Sequence, residues 1–419
     1  MRALLCFLLA ALAASPIYAQ DDIEARLRKL ETEVETLKQE NAQLRHDLGL
    51  EAESAKQDSA QLRKDLGTEV VARQTDVKQA GKAPLQLGGL IQAQSEAGDK
   101  TDSRFNDANT RVFLRRARVN VTGKFVEDFS FRLEMDLAGS LSNSSGFRAQ
   151  MTDGYVNWSR FSAANIRVGQ FKTPFGYEQL YPDPRLYTPE RSLVSDRLTL
   201  SRQIGVQLSG AGLDDRVNYA AGLFNGSSTN QNFNDNDKLM AVARVGFVPF
   251  DGRLFGKAAK ISVAANGFRD TDTALSVPSD FGIDSTPASS AKDNIFTGRR
   301  RGIGFDAQAE IGPAEVWGEY LRDTFQPVSR VPSGSLESDG WYAQATYYLI
   351  PNKLQLAERL ETFDPSDVAA HDATRSLISG VNWYIKGHDL KLQLDWMRSN
   401  VSGISKTQQK IIARLQTQF

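Results

Sequence analysis

From Leu85 to Phe419, apolar side chains recur at every second position in one segment after another. A period of two belongs to the β-strand, whose side chains point alternately to opposite faces. In FSFRLEMDL, Phe129, Phe131, Leu133, Met135 and Leu137 share one face, and Ser130, Arg132, Glu134 and Asp136 share the other. The last stretch, KIIARLQTQF, repeats this: Phe419, Thr417, Leu415, Ala413 and Ile411 oppose Gln418, Gln416, Arg414, Ile412 and Lys410. The pattern predicts strands near 85–94, 110–124, 128–140, 150–160, 164–171, 203–211, 215–224, 239–250, 257–268, 302–312, 313–322, 339–350, 353–363, 374–386, 388–399 and 408–419. That is about sixteen, several of them near the ~10 residues that a tilted strand needs to cross a bilayer.

Two architectures fit many amphipathic strands. A sandwich would bury the apolar faces and show Arg116, Arg118, Lys124, Arg132, Glu134, Asp136, Lys391 and Asp395 to water. A transmembrane barrel would turn the apolar faces to lipid and the charges to a lumen. Aromatic residues near strand ends (Trp158, Trp341, Tyr347, Trp383, Trp396) favour the barrel, because amphipathic rings gather at membrane interfaces. Turn lengths favour it too: short connections at 126–128, 351–352 and 387–388 alternate with long ones at 95–109, 172–202, 225–238, 269–301 and 323–338. The final strand is then the closing strand, pairing with the first so that no edge meets lipid, with Phe419 at the periplasmic interface. The mean hydropathy of −0.39 is no objection, since alternating strands look hydrophilic on average.

The N-terminal region differs. MRALLCFLLAALAASPIYAQ has a basic residue, a short apolar core and a small-residue exit, the form of a signal peptide spanning 1–19. Cys6 is the only cysteine and lies inside it, so no disulfide is expected in the mature chain. Residues 20–83 form a coiled-coil segment and linker. Steps of four and three place Leu27, Val34, Asn41 and Leu48 at one seam position and Ile23, Leu30, Leu37 and Leu44 at the other. The seam Leu27, Leu30, Val34, Leu37, Asn41 and Leu44 implies a homo-oligomer; the alternative is a single helix packed on its own domain. The barrel domain takes 84–419.

Charge and motifs narrow the function. The net charge of −1 gives no reason to expect nucleic acid. The strand TRVFLRRARVNVTGKF carries Arg111, Arg115, Arg116, Arg118 and Lys124 without an acid. Aimed into a lumen, Arg115, Arg116, Arg118, Lys124 and Arg132 of the next strand would make a positive ladder for anions. The alternative is that Glu134 and Asp136 pair with it and leave the field locally neutral. Arg115 is out of phase with its face, which predicts a bulge turning it inward or a place near the rim. The connection 172–202 holds four prolines and no long alternation, and a loop this long between strands usually has a function. Folded inward it would narrow the pore with Lys172, Arg185, Arg191, Arg197 and Arg202; against these stand Glu178, Asp183, Glu190 and Asp196, so a self-paired structural loop is equally open.

Catalysis finds no support. His46, His371 and His388 have no nucleophile in an evident constellation. Asn232, Asn234 and Asn236 imitate calcium-loop spacing without the sharp-turn glycine or closing glutamate. No metal or cofactor is expected.

GKFVEDFSFRLEMDLA, IRVGQFKTPFGYEQL, ERSLV, DGWYAQATYYL, KLQLAERLETFDPS and GHDLKLQLDWM resemble the phosphate-selective porin family, porins O and P, over most of 85–419. The resemblance implies a sixteen-stranded trimeric outer-membrane barrel biased towards anions such as phosphate or polyphosphate. It also implies an inward constriction loop and an arginine ladder matched by Arg115, Arg116 and Arg118. Where phosphate-specific members carry a lysine and paired serines, this chain has Glu178-Gln179-Leu180-Tyr181-Pro182-Asp183.

The expectation is therefore an all-β transmembrane barrel of about sixteen antiparallel strands preceded by an α-helical coiled coil. It would be a Gram-negative outer-membrane porin for small anions, a homotrimer in contact with lipid, with its coiled coil in the periplasm. The rival reading is a weakly selective pore whose coiled coil tethers the membrane to the cell wall.

Overall fold

The computed structural model describes residues 85–105, 110–138, 147–283, 294–328, 334–368 and 372–419, with a few helical residues between 32 and 43. The chain divides into two units, Met1–Ala80 and Gly81–Phe419. In the first, Val34 is helical and half exposed. The signal peptide, the other seam residues and His371 lie outside the described residues.

The second unit is a closed antiparallel barrel of sixteen strands, each bonded to its sequence neighbours. The strands are β1 (Gln86–Gly98), β2 (Arg111–Val126), β3 (Phe129–Asp136), β4 (Gln150–Phe161), β5 (Ala164–Lys172), β6 (Arg202–Gly212), β7 (Val217–Phe224) and β8 (Met240–Leu254). They continue with β9 (Lys257–Ser276), β10 (Ile295–Ile311), β11 (Ala314–Pro327), β12 (Leu336–Ile350), β13 (Leu354–Asp364), β14 (Thr374–Lys386), β15 (Leu390–Val401) and β16 (Gln408–Gln418). β16 pairs with β1 from Leu90↔Gln418 to Gly98↔Lys410, so the last strand closes the sheet. Phe419 continues the pairing through Gly89, whose N–H donates to the Phe419 carbonyl at 2.9 Å. The Phe419 ring lies over Gly89: a Cβ there would sit 2.5 Å from the ring.

The faces divide as the alternation requires. Ile411 and Leu415 are exposed outward, whereas Lys410, Arg414 and Gln416 are buried inward. Trp341, Tyr347, Trp383 and Trp396 are all exposed outward. Among soluble folds a polar interior under an apolar exterior would be inverted; in lipid it is the stable arrangement.

Strand boundaries differ most from the sequence reading at β9 and β10. β9 runs on to Ser276 and β10 begins at Ile295, not 302, so their connection is 277–294. Both strands extend past the apolar band, where Arg299 and Arg301 face outward and break the apolar alternation.

Candidate constriction and its charges

The chain leaves β5 at Lys172 and turns at Gly176, whose φ of 82° suits glycine and where a Cβ would lie 2.5 Å from the Thr199 side chain. Two short helices follow, α1 (Tyr177–Leu180) and α2 (Leu193–Leu198), with a single 3₁₀ turn at Asp183–Arg185 between them. Ser192 caps α2, its hydroxyl accepting from the Ser195 N–H at 3.0 Å.

This connection folds into the lumen. Its apolar residues Phe175, Leu193, Val194 and Leu198 are fully buried in a cluster with Phe268, Trp317, Phe325 and Phe363 of the wall. Phe175 meets Phe268 edge-on at 4.8 Å, and Tyr187 stacks on Trp317 at 5.2 Å. The stretch 182–190 holds Pro182, Pro184 and Pro189, which lack N–H donors and leave a row of carbonyls. The opposite wall supplies the donors. Lys391 reaches the Leu186 carbonyl at 2.7 Å, Asn382 that of Tyr187 at 2.8 Å, Gln416 that of Pro184 at 3.0 Å and Arg359 that of Glu190 at 3.0 Å. Arg359 also pairs with the buried Glu178. From the long-loop end, Arg104 donates to the Arg191 carbonyl at 2.6 Å.

β2 carries the predicted bulge. Gln92 pairs with Arg116 and Ala93 with Leu114, so Arg115 is the extra residue. Arg111 and Phe113 are less exposed than Val112 and Leu114 before it; after it Arg116 and Arg118 face inward and Val119 outward. The two adjacent arginines, Arg115 and Arg116, thus both reach the interior.

There the basic side chains meet carboxylates. Arg111 pairs with Glu96 at 3.0 Å, and Arg115 with Glu190 at 2.9 Å. Arg116 lies 3.3 Å from Asp183; Arg118 lies 2.6 Å from Asp183 and 2.8 Å from Asp136. Arg191 closes on Asp183 as well. Arg132 pairs with Glu134 and Asp153, and Arg202 with Asp153 at 2.8 Å. Arg414 pairs with Glu190 at 2.5 Å. Of the five ladder residues, Arg118 and Arg132 pair with Glu134 or Asp136 of the next strand, Arg115 and Arg116 pair instead with Glu190 and Asp183 of the loop, and Lys124 is exposed beside the β2–β3 turn, away from the cluster. Of the loop residues, Arg191 and Arg202 join the network, and Lys172 donates to the Tyr181 carbonyl at 3.3 Å. Arg197 pairs instead with Asp280 at 3.0 Å, and Arg185 is exposed with no ion pair among the described residues. Arg104, Arg359 and Arg414 add to the site beyond the predicted set. For Arg414 the strand parity, inward between Ala413 and Leu415, is a signal the sequence carries; Arg359, between the exposed Glu358 and Leu360, has only half of it.

Burial alone would raise the pKa of the loop carboxylates Asp183 and Glu190. Arg116, Arg191 and Arg118 outweigh it at Asp183 and hold that group well below the usual carboxylate range. Arg115 and Arg414 do the same for Glu190. Both stay anionic at neutral pH. Even so, the ten arginines Arg104, Arg111, Arg115, Arg116, Arg118, Arg132, Arg191, Arg202, Arg359 and Arg414 outnumber the nine carboxylates Glu96, Asp102, Glu134, Asp136, Asp153, Glu178, Asp183, Glu190 and Glu361.

Comparison with known proteins places this geometry. Residues 85–419 match the family model described as phosphate-selective porin O and P. Porin O of Pseudomonas aeruginosa is 22% identical over 306 residues, 67% of each chain. Among solved structures, an anion-selective porin from Comamonas acidovorans aligns over 81% of this chain and 100% of its own, with a TM-score of 0.55 at 12% identity. OmpT of Vibrio cholerae in its trimer form aligns over 81% and 100%, with a TM-score of 0.53 at 10% identity. The outer-membrane channel DcaP of Acinetobacter baumannii aligns over 81% and 98%, with a TM-score of 0.53 at 13% identity.

Proposed function

The chain belongs to the phosphate-selective porin O and P family, outer-membrane channels rather than enzymes, and on that premise we propose that it passes small anions with a modest bias and without tight phosphate specificity. The observation that carries this reading is the excess of cations over carboxylates where the inward loop faces β2. An anion entering there exchanges water for arginine donors that are already half satisfied, so each contact is weak and release is fast. Asp183 occupies the place between Arg116, Arg118 and Arg191 that an oxyanion would need, which supports a general preference over a phosphate trap. In this reading Arg115, Arg116, Arg118 and Arg132 set the bias, with Arg191 and Arg202 of the loop, and Phe419 seals the barrel.

The proposal extends to the assembly. A trimer fits the fold class, and the heptad seam through Leu27, Leu30, Val34, Leu37, Asn41 and Leu44 would hold it together as a periplasmic coiled coil after removal of residues 1–19.

The test is the reversal potential of purified protein in a planar bilayer under a potassium chloride gradient, followed by phosphate titration. A potential on the chloride side with no block at low phosphate is expected. A potential at zero or on the potassium side defeats the anion bias; block at low phosphate defeats the lack of specificity.

A further inference from the structure

We propose that a cavity of about 320 Å³ beside the inward loop is a resting site for a small organic carboxylate with an apolar body, centred on Arg167. The inference rests on the porin reading and adds a ligand class and a site to it. The cavity is lined by Pro174 and Leu180 of the loop and by residues of β4 to β8. Its volume is at the lower end of the range for small-molecule sites.

Three cations line it, and they differ in what they hold. Arg244 is forked onto Asp306 at 2.6 and 2.8 Å and is spent. Lys172 has a neutral carbonyl at 3.3 Å. Arg167 has no ion pair among the described residues. Its guanidinium lies over the Tyr155 ring at 4.4 Å and near Phe171 at 5.4 Å, and its Nε is buried without a hydrogen-bond partner. Stacking uses the faces of a guanidinium and leaves its in-plane N–H fork free, the edge that matches a carboxylate. The lining carboxylate, Asp153, is already held by Arg202 at 2.8 Å and Arg132 at 3.5 Å, so it does not serve Arg167. Arg167 and Lys172 are five residues apart on β5, about 17 Å along the strand, so they act in succession on one anion rather than together. Phe171, Pro174 and Leu180 give the apolar part of the lining. A hydrated inorganic anion gains nothing from them; an aromatic acid does.

Open-channel current in potassium chloride is recorded while sodium benzoate, acetate or phosphate is added. Benzoate is expected to reduce the current at a concentration about tenfold below that needed for acetate or phosphate, one decade being a modest apolar contribution. Arg167→Gln should erase the difference, and Arg167→Lys, which keeps the charge but loses the fork, should restore only part of it. The anion comparison on the unaltered protein stands whether or not a variant folds. Equal effects of benzoate and acetate overturn the proposal, as does a benzoate preference that survives in a folded Arg167→Gln protein. Conducting steps without benzoate preference overturn this inference alone; no conducting steps at all overturn the porin reading and this one with it.

Discussion

Replacing Asp183 by Asn removes one negative charge from the arginine cluster where the inward loop faces β2, and almost nothing else. Asn has the same shape. The three arginines around it keep other partners: Arg118 retains Asp136 at 2.8 Å, Arg116 retains the Gln92 side-chain Oε1 at 2.7 Å, and Arg191 retains the Glu178 and Tyr181 backbone carbonyls at 2.9 and 2.8 Å. The loop therefore stays in place while the local field becomes more positive by one unit. For an ion passing about 7 Å away in water, that unit is about 0.6 kcal/mol, close to RT, and about half that with 0.1 M salt screening. Anions gain and cations lose by the same factor, so the anion-to-cation permeability ratio should rise about three- to sevenfold. The assay is the reversal potential under a salt gradient, with single-channel conductance as the check that the loop has not moved. An unchanged potential, or one shifted towards potassium, at unchanged conductance would refute the reasoning. It would mean that permeating ions do not feel the arginine cluster.

Three further outcomes follow from the geometry. Phe175→Ala removes a fully buried ring from the cluster that holds the loop to the wall, an expected loss of about 3–5 kcal/mol of loop anchoring, seen as a larger and noisier single-channel conductance. Asp183 and Glu190 have folded-state values below their unfolded ones, so their contribution to loop anchoring is complete above about pH 4–5 and is lost as pH falls through the folded values; conductance should hold from pH 7 to about 4 and become unstable only below, and a transition near pH 6 would contradict this. Gly89→Val drives a side chain into the Phe419 ring and should lower the temperature at which the barrel loses its compact mobility on unheated gels, whereas Phe419→Ala in the same background should recover part of the loss.

The wall of the barrel was legible because lipid and lumen impose opposite polarities on alternate residues, and β16 shows that in ten positions. The bulge at Arg115 was legible for the same reason, as a charge out of phase. β10 was read seven residues short because Gly298, Arg299, Arg300 and Arg301 lie where lipid no longer dictates the outward face. The pairing of the ladder was the least legible part. Arg359 meets Glu178 and Arg414 meets Glu190 across more than half the barrel domain, and no local pattern says which loop residue lands against which wall residue. Hence composition groups Lys124 with the ladder and Arg185 and Arg197 with the pore-narrowing loop charges, whereas in the fold Lys124 sits beside the β2–β3 turn, Arg197 pairs with Asp280 and Arg185 is exposed.

The bulge has a genetic consequence. Deleting one residue almost anywhere in a transmembrane strand throws everything on one side of the deletion onto the wrong face. Arg115 is an exception, because Leu114 and Arg116 already oppose consecutive residues of β1. Loss of its codon leaves Val112 and Leu114 towards lipid and Arg116 and Arg118 towards water, with the strand simply straightened. Evolution can therefore add or subtract a positive charge at this depth of the pore by one in-frame triplet, without re-threading the barrel.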